Sequence, residues 1–378
     1  MKIAIEAQRI FRKNKHGMDF VALEMIRNLQ LIDKENEYFI MVSPGEDHCL
    51  AETPNFHIVE ISTPSYPLWE QWGLPKALRK IKPDLLHCTS NTAPIWDKTP
   101  LVLTLHDIIF LEPRDSTSKS LYQNLGWYYR RLDVPRILGR CRKIITVSDF
   151  ERDNILRKTS VSASQIVTVH NGFSSQFHPI DNYRDTVRKY IDAEHYLFFL
   201  GNTDPKKNTK RVLKAYAEYA SRSKSPVPLL VADLSSDILS NYITELGLDS
   251  IRSLIKASGY IEHKDLTAIY NGASAFIYTS LRESFGIPRL EAMACGTPVI
   301  SSDTSAIPEI AGNAAVLVDP RNVEAISDAI LQLEENEPMR RQYIERGLER
   351  VKLFSWRNTA EKVLKLYNEI KNQSPQKP

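Results

Sequence analysis

The segment that decides the reading runs Ala275-Phe-Ile-Tyr-Thr279, Ser280-Leu-Arg-Glu283-Ser-Phe-Gly286-Ile-Pro288-Arg-Leu-Glu291, and on into Ala-Met-Ala-Cys-Gly-Thr-Pro-Val-Ile-Ser301. Its first five residues are short-spaced, aromatic and β-branched, which predicts a buried strand, Ala275–Thr279. Gly286 then breaks the chain. Pro288 suits a first helical position, because its missing N–H would be unpaired there in any case. A helix starting near Ile287 turns free amides and the positive end of its dipole toward whatever lies above the strand. That is an anion site, with Glu283 at its mouth and Glu291 about one turn in. Carboxylates repel a phosphate, so neither is a phosphate ligand. Both are good acceptors for sugar hydroxyls on either side of a diphosphate. The residues alone leave a second reading open, a strand-loop-helix with two surface glutamates.

Outward from this segment, short apolar runs alternate with longer amphipathic stretches, the pattern of a parallel α/β sheet. In the first half the expected strands are residues 2–7, 38–42, 57–61, 84–88, 101–105, 143–147 and 166–169. Helices are expected at 20–31, 71–81, 121–138 and 149–158. A second series of strands covers 196–200, 229–232, 275–279, 298–301 and 315–318. The polar, aperiodic stretch 174–192 separates the two series, which predicts domains at 1–180 and 181–354. A final amphipathic helix starts at Ser355, with Trp356, Val363, Leu366, Tyr367 and Ile370 on its apolar side, and a disordered tail, 373–378, closes the segment 355–378.

Bulk properties narrow the class. The 378 residues are comfortable for two domains, and 42% hydrophobic with 25% charged residues is the balance of a soluble globular protein. A net charge of +3 gives no argument for nucleic acid. Four cysteines without a C-x-x-C pair suggest neither a zinc site nor a disulfide framework and fit a reducing compartment. The opening Met-Lys-Ile-Ala-Ile-Glu-Ala reads as a strand, not a signal peptide. No segment approaches the roughly 20 apolar residues that span a bilayer. A cytoplasmic protein is expected, one that can still lie on the inner face of a membrane.

Other constellations support the anion site. Gly201-Asn-Thr-Asp-Pro-Lys-Lys-Asn208 follows a strand and opens a helix, so Lys206 and Lys207 sit where a helix dipole disfavours cations. They call for an anion, and a diphosphate is the obvious one. No two aspartates have the D-x-D spacing with which a divalent metal holds a diphosphate, so a lysine and helix-dipole clamp is expected in its place, with no metal and no cofactor. His106 ends the strand 101–105, at the edge where open α/β sheets bind ligands. Asp19, beside Gly17, reads equally as a helix cap or an acceptor contact. The tract Trp127-Tyr-Tyr-Arg-Arg131 with Arg136, Arg140, Arg142 and Lys143 is either a solvated helix face or a patch for anionic lipid.

The segment 283–291 resembles the E-x7-E signature of retaining glycosyltransferases of family 4, which have the GT-B fold: two Rossmann-like domains facing across a cleft, with the last helix crossing back to the first domain. The likeness spreads over most of the chain. It implies that Glu283 meets the donor hexose and Glu291 the ribose. Phe285, Gly286 and Ile287 then turn their amides to the sugar and diphosphate, and Gly201, Lys206 and Lys207 complete the phosphate site. It implies further that His106 reaches the donor sugar, that Gly17 approaches the diphosphate, and that the backbone at Tyr260 and Ile261, after Gly259, holds the base. Relatives carry an Arg-Lys pair where this chain has Lys206 and Lys207, and often a second glycine where it has Asp19. The expected activity is a retaining, metal-independent transfer of a hexose, mannose among the candidates, from a GDP- or UDP-sugar to a glycan or polyprenyl-diphosphate-linked acceptor in surface polysaccharide synthesis. Two other readings remain at this point: a sugar-nucleotide 2-epimerase of the same fold, and a silent nucleotide-sugar-binding protein.

Overall fold

The computed structural model describes residues 1–112 and 121–373, with the side chains of 121–123 excepted. The chain divides into two compact units, Met1–Gly172 with Trp356–Pro378, and Phe173–Ser355. The division falls earlier than the expected boundary after residue 180. The reason is local packing: Phe177 meets Tyr270 and His263 edge to face, and the Ile180 N–H donates to Asn271 Oδ1 at 2.9 Å. These contacts hold 173–180 to the second unit. Of the expected tail, 373–378, Gln373 instead ends the last helix, and 374–378 lie outside the described residues.

The first unit is built on a seven-stranded parallel sheet in the order Phe56–Glu60, Glu37–Val42, Lys2–Glu6, Leu85–Cys88, Leu101–Thr104, Cys141–Thr146, Ile166–Thr168. Side chains alternate between its faces, as a pleated strand requires. Ile3 and Ile5 face the helices Gly17–Ile32 and Trp356–Gln373, while Ala4 faces the layer holding Leu74, Leu78 and Val134. Every residue expected on the apolar side of the last helix is buried. Tyr367 adds a 2.6 Å bond between its hydroxyl and His87 Nδ1, and Thr359 Oγ1 donates to the His170 carbonyl at 2.8 Å. The last helix thus belongs to the first unit, as the resemblance implies.

The expected helix 71–81 takes another form. It begins earlier, at Tyr66–Leu68, passes through a π-helical turn, Trp69–Gly73, and continues as Leu74–Ile81. The wide turn lets Trp69 and Glu70 both point inward.

The second unit has a six-stranded parallel sheet in the order Ile255–Gly259, Leu229–Ala232, Leu197–Leu200, Ala275–Tyr278, Val299–Ser302, Val316–Val318. Strand order reverses between Leu197–Leu200 and Ala275–Tyr278, which pair directly through Ala275 and Leu197. Ligands of such sheets bind beyond the carboxyl ends of the strands at that reversal. The edge strand Ile255–Gly259 was not among the expected ones.

Candidate active site

The two segments singled out in the sequence leave the sheet side by side at the reversal point. Gly201 follows Leu197–Leu200, and a Cβ there would stand 2.6 Å from Leu234 Cδ1 and 2.9 Å from Val231 Cγ1. Its lack of a side chain is therefore a packing requirement of the sheet. Asp204 caps the turn Pro205–Lys207 by accepting from the Lys206 N–H at 3.0 Å. Asn208 takes a left-handed conformation, φ 64°, before the helix Thr209–Arg222. From there its amide nitrogen donates to the carbonyls of Thr279 (3.0 Å) and Pro320 (2.6 Å). The Leu281 N–H donates to the Lys206 carbonyl at 2.7 Å. Buried backbone groups find partners in this way, and the loops are fixed to each other.

The stitching brings Lys207 Nζ to 2.6 Å from Glu283 Oε1. The Glu283 side chain is 14% exposed. Burial alone would raise its pKa, but the Lys207 charge and hydrogen bond outweigh it, helped by Ser280 and Tyr278, and hold the carboxyl below the usual range. Lys207 is correspondingly held above the ordinary lysine value, first by the Tyr278 hydroxyl and then by Glu283, against the opposing effect of burial. Lys206 is not part of this pair. Its ammonium lies 3.9 Å from Asp204 on the surface.

Gly286 precedes the helix Ile287–Ala294 with φ 84° and ψ 62°, a conformation that favours glycine. Ile287 opens the helix, so Pro288 occupies its second position and not the first. Phe285 is buried and meets Phe354 edge to face, so its side chain belongs to the core. Sequence reasoning missed Arg289. It is fully buried, its Nη2 donates to the Phe285 carbonyl at 2.7 Å, and its guanidinium lies 5.8 Å from the Tyr278 ring centroid. Burial lowers it to about 10, and Nε has no partner among the described residues. The signal was present: an arginine three residues after the glycine, inside an apolar helix, points back under the loop.

Glu291 lies on the same helix in a different environment. Burial pushes its carboxyl up to about 8, and the Tyr270 hydroxyl offsets this only in part. Tyr270 Oη has no partner at bonding distance among the described residues. The two environments therefore push the carboxyls in opposite directions, Glu283 below the usual range and Glu291 above it. Gly259 (φ 66°) ends the edge strand Ile255–Gly259, two strands away from the reversal point, and exposed Tyr260 and buried Ile261 follow it. They share its carboxyl edge but not the Lys207–Glu283 cluster.

The first unit holds the remaining three residues. His106 Nε2 lies 2.9 Å from the Thr89 carbonyl and its N–H donates to Asn91 Oδ1 at 2.7 Å. A carbonyl only accepts, so Nε2 carries the proton and Nδ1 is left as an acceptor. Burial keeps the ring neutral by lowering its pKa. Gly17 opens its helix, and a Cβ there would meet nothing within 4 Å, so packing does not demand glycine. Asp19 takes part in the cap: its Oδ2 accepts the His16 N–H at 2.9 Å, and its Oδ1 lies 2.9 Å from Arg9 Nε in an ion pair.

The model for glycosyl transferases group 1 matches residues 185–350, and that for glycosyltransferase family 4 matches residues 17–177. The O-antigen chain mannosyltransferase B of Escherichia coli is 32% identical over 272 residues, covering 70% of this chain and 69% of that protein. The chain belongs to glycosyltransferase family 4. This family 4 glycosyltransferase is also 27% identical to the O-antigen chain mannosyltransferase RfbU of Salmonella typhimurium, over 71% of the chain and 70% of the relative. Its fold is that of the sucrose-phosphate synthase of Thermosynechococcus elongatus, with a TM-score of 0.78 over 99% of this chain and 100% of that one at 18% identity. The likeness is one of fold, the GT-B arrangement of two Rossmann-like domains. Among the described residues no helix is long and apolar enough to cross a membrane.

Proposed function

We propose that the enzyme moves a hexose from a nucleotide-sugar to a glycan or polyprenyl-diphosphate-linked acceptor in surface polysaccharide synthesis, with retention at the anomeric carbon and without a metal. Mannose from a GDP-sugar is the favoured donor because the similar E. coli and Salmonella proteins are mannosyltransferases; a UDP-hexose is the alternative. The observation that carries this reading is the Lys207–Glu283 pair at the strand reversal, beside the start of the helix Ile287–Ala294. Departure of a nucleoside diphosphate builds negative charge, and preset cations and amide dipoles stabilise it without reorganising. Lys207, Lys206 and the amides at Phe285, Gly286 and Ile287 fit that task. Ionised Glu283 fits as an acceptor for hexose hydroxyls, and the unprotonated Nδ1 of His106 has acceptor character of the same kind. Glu291 fits a pair of ribose hydroxyls, and the backbone at Tyr260 and Ile261 the base. Work at the inner face of a membrane follows from a lipid-linked acceptor.

The test is nucleoside diphosphate release from GDP-mannose and UDP-glucose, with and without acceptor and in excess chelator, with the anomeric configuration of the product read by NMR. Acceptor-dependent release in chelator with an α-linked product supports the proposal. Free epimerised sugar-nucleotide favours the 2-epimerase reading. Complete loss in chelator, restored by manganese, overturns the lysine clamp.

A further inference from the structure

Against the Lys207–Glu283 pair stands a side chain to which the transfer step gives no task. Tyr278 ends the strand Ala275–Tyr278 and is 5% exposed. Its backbone is fixed from the next strand, where its register partner Ser301 donates through Oγ to the Tyr278 carbonyl at 3.0 Å. Its ring stacks on Phe276, with 5.6 Å between centroids. Gly286 closes on it from the loop: a Cβ there would stand 3.2 Å from Tyr278 Cε1 and 3.2 Å from Arg289 Nη2. The loop before the second helix is thus shaped around this ring.

Two cations lie against it. Lys207 Nζ is 5.6 Å and the Arg289 guanidinium 5.8 Å from the Tyr278 centroid, distances at which a cation is drawn to an aromatic ring. The phenol hydroxyl is hydrogen-bonded both to Glu283 and to Lys207. Proton accounting fixes the directions. An ammonium only donates and a carboxylate only accepts, so the Tyr278 oxygen accepts from Lys207 and its proton goes to Glu283. Burial and the Glu283 charge hold the phenol above its ordinary value, which keeps that proton on the oxygen. The direct contact between Lys207 and Glu283 at 2.6 Å closes the triangle. Three further charged groups are near the pair. Arg289 feels the Glu283 carboxylate, Arg282 Nη1 donates to the Glu283 carbonyl at 3.2 Å, and Asp233 feels the Lys207 charge.

We infer that Tyr278 is a positioning residue, whose hydroxyl holds the Glu283 carboxylate in place when the diphosphate of the nucleotide-sugar draws Lys207 away. The inference rests on the reading of Lys207 as the diphosphate cation and Glu283 as the sugar carboxylate. One ammonium cannot serve both anions at full strength. As it turns to the diphosphate, a buried carboxylate that depended on it alone would swing or take up a proton. The Tyr278 hydroxyl is neutral and its single proton is already committed, so the diphosphate does not compete for it. It is also presented by a strand, which fixes a supporting group more precisely than a loop does.

The experiment is Tyr278→Phe in the full chain, which keeps the ring and removes the hydroxyl, alone and combined with Glu283→Gln. The single variant is expected to lose kcat by about tenfold or more, the worth of a hydrogen bond to a charged group, while GDP and UDP affinity is retained. In the Glu283→Gln background the same substitution has no further effect, because a residue acting through Glu283 has nothing left to act on. A further readout needs no turnover. The Glu283 carboxyl, followed by carboxyl-carbon NMR with Glu283→Gln assigning its signal, titrates at higher pH in Tyr278→Phe. Tyr216→Phe, which removes a buried hydroxyl bonded to the Val227 carbonyl at 2.9 Å, leaves turnover and titration at the wild-type level. The inference is overturned if Tyr278→Phe leaves either turnover or the Glu283 titration unchanged. It is equally overturned if the Tyr278→Phe loss adds in full to that of Glu283→Gln, which would make the hydroxyl structural only. Absence of turnover with every nucleotide-sugar and acceptor would refute the transferase reading, and the titration would still decide whether Tyr278 holds Glu283.

Discussion

Lys207 Nζ sits 2.6 Å from Glu283 Oε1, joining the turn after one strand to the loop after its neighbour. Each side chain keeps the other charged in a setting where burial would neutralise both. The diphosphate cation and the sugar carboxylate of the proposed reaction are therefore paired before a donor arrives. A donor has only to share Lys207, not to order it, and the entropy of fixing a long side chain is already spent.

The two lysines should not be equal. Lys207→Ala strips the nearby cation from a buried carboxylate and also removes a diphosphate contact. Its kcat/KM is expected to fall by about a hundredfold or more, the range seen when one preset electrostatic partner is lost. Lys206 is 39% exposed and only 3.9 Å from Asp204, so Lys206→Ala should stay within about tenfold. Steady-state kinetics on both variants decides this, and equal losses would remove the distinction.

Glu291 predicts a pH dependence of nucleotide binding. Its carboxyl is pushed up to about 8, and the ionised form is the better acceptor for ribose hydroxyls. Nucleoside diphosphate affinity should therefore rise as pH increases from 7 toward about 9, and Glu291→Gln should abolish the rise. Calorimetric titrations across that range provide the check. A wild-type slope retained in the variant would assign the effect elsewhere.

Arg289 separates function from stability. Its guanidinium is buried with no carboxylate at bonding distance among the described residues, and a buried charge of this kind is costly to keep. Arg289→Met is expected to change unfolding free energy by less than about 1 kcal/mol, or to increase it, while weakening nucleoside diphosphate binding about tenfold. Denaturant midpoints and titrations on the same sample read both quantities. A large stability loss with unchanged affinity would make the residue purely structural.

A second titrating element lies in the first unit. Glu70 accepts from the hydroxyls of Tyr66 (2.8 Å), Thr92 (2.6 Å) and Tyr129, and Gln71 Nε2 lies between it and Asp133. Burial, then the Asp133 charge, push Glu70 up to about 8, with Glu6 adding to the rise; burial pushes Asp133 up to about 7 against Arg140 and Arg136. Both folded-state values stand above the unfolded ones, so the folded chain binds more protons between the ordinary carboxylate range and about pH 8. Stability contributed by this pair is present below that window and is lost as pH rises through it. The melting temperature should fall as pH rises from about 5 to about 8, and Glu70→Gln should flatten the fall. Parallel profiles for variant and wild type would exclude the pair.

Much of this architecture is legible in the sequence because buried parallel strands write themselves as short apolar runs. Leu229–Ala232 matches its expected limits, and the helix Asp149–Lys158 does so because the Ser148 side chain caps it at the Glu151 N–H. The strand Ile255–Gly259 escaped because it is an edge strand: Ile-Lys-Ala-Ser-Gly has one buried residue, and its other side chains need no apolar partner. The π-helical turn at Trp69–Gly73 escaped because a single wide turn barely alters apolar spacing. At the site, residue types located Lys207 and Glu283, but their contact depends on Asn208 and Leu281 joining two loops far apart in the chain.

The central claim is that Glu283 serves the sugar while Lys207 serves the diphosphate. Titration of GDP and UDP into Glu283→Gln, with turnover measured on the same preparation, tests it most directly. In that variant Lys207 loses its anionic partner and is freed toward the diphosphate, so nucleotide affinity should be unchanged or tighter while turnover falls by about a hundredfold or more. Loss of nucleotide affinity in step with turnover would contradict the division of roles.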